Sequence, residues 1–140
     1  MKKTLIVIDM QNDFIDGSLG TAEAVKIVPN VRKKIEEYRS NGDEIIFTRD
    51  THGEDYLSTP EGKKLPVVHC VKNTHGWQIA DGLDVPDAIH IDKPSFGYTH
   101  WDKFCFEKIE LVGLCTDICV VSNACLLYTS PSPRDLSTSR

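Results

Sequence analysis

The chain has 140 residues, which is enough for one domain with a buried core, and its formal net charge is −5. Basic residues cluster on no single element and no apolar run approaches the roughly 20 residues of a membrane span, so nucleic acid and membrane are excluded as expected partners. The five cysteines are an odd number, and the short N-terminal apolar run leads at once into Asp9, which favours a strand over a secretory signal. We therefore expect a cytoplasmic protein with reduced thiols.

Four apolar runs predict the strands. In chain order they are TLIVID, ending at Asp9, EIIFTRD, ending at Asp50, the weaker AIHIDK, ending at Lys93, and KIELVG, ending at Gly113. Continuous β-branched runs, rather than alternating ones, are typical of strands that are buried on both faces of a parallel sheet.

A helix is predicted between the first two strands. Apolar residues recur there at spacings of three and four, namely Val25, Val28, Val31, Ile35 and Tyr38. Pro29 is expected in its first turn or at its start, and Asn41-Gly42 is expected to end it. Strand, helix and strand form a βαβ unit, so we expect an α/β fold with a central parallel sheet.

Two segments differ from these elements in composition. Residues 51–88 are rich in proline, glycine and polar residues and predict a long insertion, a kind of loop that is usually functional. From residue 127 onward, serine, threonine, proline and arginine dominate, with nothing to bury. We therefore expect one domain over residues 1–126 and a disordered or foreign tail over residues 127–140.

Reactive side chains follow the predicted strands. Ligands of open parallel sheets bind outside the carboxyl ends of the strands. Asp9, Asp50 and Lys93 lie at such ends, and Cys119 follows the last strand closely. Each alone has an ordinary explanation, since aspartate often caps a helix and lysine is often solvated. Four reactive groups at one edge favour a functional site instead.

Cys119 is the candidate nucleophile. The polar pair at 116–117 indicates a helix start, and Cys119 then falls in the first turn, where backbone N–H groups and the helix dipole stabilise a thiolate and can form an oxyanion hole. Asp9 would accept the thiol proton, and the charge of Lys93 favours the anionic form of both neighbours. Two other cysteines lack this position and are expected to pack as small apolar residues: Cys115 and Cys125.

A second group of side chains lies in the insertion and at its start: Asp50, His52, Glu61 and His69. Asp50 and His52 are two residues apart, so they lie on the same side of an extended segment and can reach one ion. Imidazole and carboxylate ligands with open positions suit zinc, iron(II) or manganese. A surface Asp-x-His pair without a metal is the common alternative.

Three blocks of the sequence together resemble the isochorismatase-like cysteine hydrolases. They are LIVIDMQNDF at 5–14, DKPSF around Lys93 and VGLCTDICV at 112–120. TRDTH at 48–52 and PVVHCV at 66–71 resemble the nicotinamidase branch, and the resemblance covers residues 3–126. It implies a Rossmann-like, three-layer α/β/α fold with a central parallel sheet, here lacking the last strand and helix units. Its full-length members are expected to be homo-oligomers.

The resemblance implies roles for individual residues. Asp9, Lys93 and Cys119 would form the catalytic triad, and Cys119 would attack an amide carbonyl to give a thioester. The backbone N–H groups of Cys115 and Cys119 would form the oxyanion hole. Phe14 would pack on the substrate ring.

The resemblance also implies one divalent metal ion, zinc before iron or manganese. Asp50, His52 and His69 would bind it, with Glu61 as a further ligand found in some members. Pro66 stands where nicotinamidases often have a tryptophan.

The implied activity is that of an amidohydrolase acting on linear amides. Nicotinamide would be hydrolysed to nicotinate and ammonia in NAD salvage. Two alternatives stay open. One is a related hydrolase of another small amide or ester, and the other is a non-catalytic, truncated α/β module that binds a metal.

Overall fold

The computed structural model describes residues 3–93 and 108–114 in full and the backbone of residues 135–139. Its strands are β1 (Lys3–Ile8), β2 (Glu44–Asp50), β3 (Ile89–Lys93), β4 (Lys108–Gly113) and β5 (Asp135–Ser139). Its helices are α1 (Asn12–Ile15), α2 (Ala22–Ser40) and α3 (Pro60–Lys64), and short 3-10 turns lie at Tyr56–Ser58 and His75–Trp77. The four predicted strands and the predicted α/β class are confirmed.

The strands form one parallel sheet in the order β3-β2-β1-β4-β5. The strands β2 and β3 are added in turn on one side of β1, and β4 then pairs with β1 on its other side. The strand order therefore reverses between β1 and β4. In open α/β sheets, such a switch point opens a crevice at the carboxyl ends of the strands, where ligands bind.

The sheet is buried on both faces, as its continuous apolar runs predict. Every residue from Leu5 to Ile8 is fully buried, although successive side chains of a strand point to opposite faces. On one face, α2 contributes Val31, Ile35 and Tyr38 to the core cluster that contains Leu5 and Val7. This packing holds the carboxyl end of β1 rigidly at the centre of the sheet.

Helix α2 begins earlier than its sequence predicts. Thr21 caps it, because its Oγ1 accepts a hydrogen bond of 3.0 Å from the N–H of Ala24. Pro29 consequently lies inside the helix, so its expected place in the first turn is wrong. Val25 is half exposed and does not belong to the buried stripe. The predicted end is confirmed, since Gly42 follows the helix with a φ of 72°.

Strand β5 lies within residues 127–140, for which the composition predicts no structure. Its backbone pairs with β4, with Lys108 opposite Asp135 and Val112 opposite Ser139. A disordered or foreign tail over residues 127–140 stays a prediction, since only these five residues of it are described. The ladder between β-strands is made by main-chain groups, so the free edge of a strand accepts extended segments of very different composition. Among the helices of the described ranges, none is long and apolar enough to cross a membrane.

Candidate active site and metal centre

A buried ion pair lies at the carboxyl edge of the sheet. Lys93 Nζ donates to Asp9 Oδ2 at 2.8 Å, and both side chains are fully buried. Asp9 follows β1 and Lys93 ends β3, so the lysine reaches past the end of β2, which lies between them. Burying two charges is costly unless they are paired and hydrogen-bonded. The predicted meeting of these two residues is confirmed.

Thr48 supplies the second contact to the carboxylate. Its Oγ1 donates to Asp9 Oδ1 at 2.9 Å, and its carbonyl oxygen accepts from the N–H of Asp9 at 3.1 Å. Asp9 itself has a φ of 53°, a left-handed conformation that is uncommon outside glycine. Both carboxylate oxygens are thus hydrogen-bonded, and the side chain is held in one orientation.

Three of the predicted metal ligands form a compact group. One ligand atom from each of Asp50, His52 and His69 lies within 4.8 Å of the others, and all three residues are buried. Asp50 ends β2, while His69 arrives from the insertion, where the His52 N–H donates to the carbonyl oxygen of Cys70 at 3.0 Å. The two segments therefore run side by side, and the prediction that Asp50 and His52 face the same side is confirmed.

The Asp50 carboxylate lies between the two imidazoles. Its Oδ2 is 3.0 Å from His52 Nε2 and 3.4 Å from His69 Nε2. Its Oδ1 is buried and has no hydrogen-bond partner among the residues that the structure describes. A buried polar atom without a partner is costly, and a cation would satisfy it. The donor set and this unsatisfied oxygen fit a divalent metal ion.

The pKa values of Asp50 and His69 are shifted from the ordinary values of these side chains. Burial raises the pKa of Asp50, but hydrogen bonds from His52 and His69 and the charge of Lys93 outweigh it and hold that pKa well below its usual range. Burial lowers the pKa of His69, but the hydrogen bond to Asp50 reverses this and leaves the pKa raised. The carboxylate is therefore ionised at neutral pH.

His69 is held from its far side as well. Its Nδ1 donates to the carbonyl oxygen of Val67 at 2.7 Å. When the ring is neutral, a histidine that donates one ring nitrogen to a carbonyl presents the other as an acceptor, which is the usual arrangement of a metal-binding imidazole. The nitrogen that faces Asp50 is Nε2, the atom suited to an ion.

Glu61 lies at the edge of the group. It is carried by α3, and its Oε2 is 3.8 Å from His52 Nε2, with a quarter of the side chain exposed. Burial and then the charge of Asp50 raise its pKa. The structure thus brings Glu61 near the three buried ligands, on their exposed side.

Phe14 lies next to the same group. Its ring centroid is 5.5 Å from that of His69, and it belongs to a small apolar cluster with Cys70 and Trp77. Pro66, in contrast, is exposed.

Cys115 and Cys119 lie outside the described residues. The described chain nevertheless leads to this point, because the Leu114 N–H donates to the Ile8 carbonyl oxygen at 3.2 Å. The residue before Cys115 is therefore beside the strand end that leads into Asp9.

Sequence reasoning missed Gln11 and Thr48. The fully buried Gln11 side chain donates to the carbonyl oxygens of Asp50 and Trp77 and accepts from the Asp50 N–H, each at 2.8 Å. It fixes the backbone of Asp50, a candidate metal ligand. Their positions could have indicated a role near the site, since Gln11 is two residues after Asp9 and Thr48 is two residues before Asp50.

The fold and the edge of the sheet place the molecule among α/β enzymes that bind a small ligand at a topological switch point. The sequence model of the isochorismatase domain matches residues 3–130, so the chain belongs to the isochorismatase family. Its relatives place it in the nicotinamidase branch of that family.

Three relatives show the range of proteins that this chain resembles. Nicotinamidase of Saccharomyces cerevisiae is 33% identical, with 87% of this chain and 79% of that protein aligned. Pyrazinamidase of Pyrococcus horikoshii, solved in complex with zinc, is 31% identical with a TM-score of 0.76, covering 89% of this chain and 77% of that chain. N-carbamoylsarcosine amidase of Thermoplasma acidophilum is 27% identical with a TM-score of 0.78, covering 97% and 81%.

Proposed function

We propose that this chain is a nicotinamidase that hydrolyses nicotinamide to nicotinate and ammonia through a thioester on Cys119. The observation that carries the proposal is that the Asp9–Lys93 pair adjoins the Asp50–His52–His69 group, since Asp50 and Lys93 are paired in register at the ends of β2 and β3. An acid–base pair and a metal-ligand group are therefore contiguous. A role in NAD salvage and a cytoplasmic location are part of the proposal.

Amide hydrolysis would need a nucleophile and a group that accepts and returns a proton, and Cys119 and Asp9 would take these roles. The branch of the family makes the chain an amidohydrolase, and the proposal concerns its substrate and mechanism. Asp9 accepts the thiol proton while Cys119 Sγ bonds to the amide carbon. The C–N bond then breaks, and the proton on Asp9 goes to the departing ammonia. Water next attacks the thioester, and Asp9 passes a water proton back to the sulfur.

Lys93 and Thr48 serve this cycle by holding Asp9. The ammonium of Lys93 balances the buried carboxylate, and the Thr48 hydroxyl fixes its other oxygen. The backbone N–H groups of Cys115 and Cys119 would stabilise the oxyanion, where one donor is typically worth about a hundredfold to a thousandfold in rate.

Asp50, His52 and His69 would bind the metal ion, with Glu61 on its exposed side. We propose zinc, because two imidazoles and a carboxylate with open positions suit it, although iron(II) and manganese share the preference. When bound, the ion would offer a Lewis-acidic position for the pyridine nitrogen of the substrate. Phe14, beside His69, would pack on the pyridine ring and orient the amide toward the catalytic residues.

A second candidate is hydrolysis of another small amide. The similarity to N-carbamoylsarcosine amidase and the exposed Pro66, in place of an aromatic wall, favour it. It would use the same Asp9, Lys93 and Cys119 with a differently shaped slot.

Ammonia release from nicotinamide by the purified chain tests the proposal. Cys119→Ala and Asp9→Asn should each lower kcat by at least about a thousandfold, because each removes a partner of one concerted unit. Cys125→Ala, a thiol with no assigned role, is the control and should retain activity. Full activity of Cys119→Ala would refute the mechanism. Release of ammonia from N-carbamoylsarcosine or other small amides, with nicotinamide inert, would favour the second candidate.

A further inference from the structure

Tyr56 contacts both histidines of the metal-ligand group. Its ring centroid is 4.5 Å from that of His52, at an interplanar angle of 60°, and 5.0 Å from that of His69, at 75°. The two imidazoles also meet each other edge to face, with their centroids 4.8 Å apart. Tyr56 is almost completely buried. The three rings therefore form one cluster in which each restricts the rotation of the other two.

Tyr56 is itself firmly held. Its hydroxyl donates to the Leu65 carbonyl oxygen at 2.8 Å, and its own carbonyl oxygen accepts from Thr59 Oγ1. Gly62 lies so close that a Cβ there would come within 1.9 Å of the Tyr56 carbonyl oxygen. Tyr56 is thus fixed to α3, which carries Glu61, and to the segment that leads to His69.

The two histidines differ in how far other contacts hold them. The His69 ring has the hydrogen bond from Nδ1 to Val67 on its far side. The His52 ring bonds to Asp50 through Nε2, the same nitrogen that would face an ion. Once that nitrogen is engaged by a metal, the packing of Tyr56 against the His52 ring would help to keep the ring in place.

We propose that Tyr56 is a positioning residue that orients both imidazoles of the metal site. The inference rests on the metal site of the proposed function. Tyr56 would act through the two imidazoles that its ring contacts, since its hydroxyl is engaged by the Leu65 carbonyl oxygen. Partners that orient metal ligands typically contribute about 10-fold to 100-fold to metal affinity.

Metal binding by variants of the whole chain tests the inference. Zinc affinity is measured by competition with a chromogenic chelator, and the geometry of the site by the visible spectrum of the cobalt(II)-loaded protein. Tyr56→Leu should weaken zinc binding by about 10-fold to 100-fold and change the cobalt spectrum. Tyr56→Phe keeps the ring and should retain the zinc affinity and cobalt spectrum of the wild type, with a lower Tm from the lost bond to Leu65.

Phe47→Leu is the matched control. Phe47 is equally buried and stacks on His90, with centroids 5.2 Å apart, and neither residue belongs to the metal-ligand group. Its loss should lower the Tm and leave zinc affinity and the cobalt spectrum unchanged. A merely structural role of Tyr56 would give the same result as this control.

The outcomes separate the two proposals. A folded Tyr56→Leu variant with wild-type zinc affinity and an unchanged cobalt spectrum overturns the role of Tyr56 and leaves the metal site intact. A wild-type chain that binds none of zinc, iron(II) and manganese overturns the metal site, and the role of Tyr56 with it. If Tyr56→Leu does not fold, Tyr56→Met, which fills the space without a ring, is measured by the same criteria.

Discussion

At the scale of single residues, Asp50 and His69 have opposite effects of pH on the zinc-free protein. The lowered pKa of Asp50 means that its contribution to stability is present above about pH 4 and is lost as the pH falls. The raised pKa of His69 means that its contribution is present below about pH 6.5 and is lost as the pH rises through the folded value. The pair therefore stabilises the zinc-free fold most between these limits.

Bound zinc should reverse the effect of His69 on stability at high pH, so that the zinc-bound protein gains stability there instead of losing it. A histidine must lose its proton to bind a metal, so zinc affinity should fall about tenfold for each pH unit below the pKa of His69. We expect zinc to raise the Tm more at about pH 8 than at about pH 6. Thermal melts with and without zinc measure the difference.

His90→Gln is the control for this pH dependence. His90 is bonded to Asp84 at 2.7 Å and lies outside the metal-ligand group, so its loss should leave the effect of zinc unchanged. An increase in Tm on adding zinc that is the same at both pH values would contradict the binding of zinc by His69.

At the scale of elements, the carboxyl ends of β1 and β4 are in close backbone contact. Gly113 ends β4 with a φ of 143°, and a Cβ on it would lie 2.1 Å from the Ile8 carbonyl oxygen. Only glycine allows this approach, and the next N–H, that of Leu114, bonds to the same oxygen. The contact brings the chain that leads to Cys119 toward the end of β1, where Asp9 is.

Gly113→Ala should therefore be costly. The clash with Ile8 and the backbone strain together predict a loss of about 2–4 kcal/mol in the free energy of unfolding. Gly42→Ala is the matched control, because Gly42 also has a positive φ but has nothing within 4 Å of a Cβ, and it should cost about 1 kcal/mol. Urea denaturation measures both, and equal losses in the two variants would show that the close approach to Ile8 is unimportant.

Strand ends were predictable from the sequence, whereas contacts inside the insertion were not. An apolar run that stops at a charged residue shows where a buried strand reaches the edge of the sheet, so Asp9, Asp50 and Lys93 could be assigned to one rim. The role of Gln11 depends on contacts with residues far along the chain, and that of Tyr56 depends on how the insertion folds back on itself, so no local pattern reports either role. Pro29 lies deeper in α2 than its sequence predicts, because the capping by Thr21 and the packing of the helix outweigh the local cost of a proline.

At the scale of the whole molecule, the strand order explains why these residues meet. Asp9 lies at the central strand and Lys93 on the edge strand β3, and the side chain of the lysine crosses the end of β2 to reach it. The sequence predicts both strand ends but gives no strand order, so this contact across an intervening strand required the structure. The site is thus a property of the assembled sheet rather than of any one motif.

The tail is the point where composition and structure disagree, and a deletion decides between them. A chain ending at residue 126 lacks β5 and exposes the main-chain groups of β4 that now pair with it. At about 0.5–1.5 kcal/mol for each hydrogen bond, we expect the shortened chain to be less stable by about 2 kcal/mol or more. Ser137→Pro, which removes one N–H from β5, should lower the Tm in the same direction, and Ser130→Pro, outside β5, is its control. If all four chains melt at the same temperature, the tail is disordered, as its composition predicts.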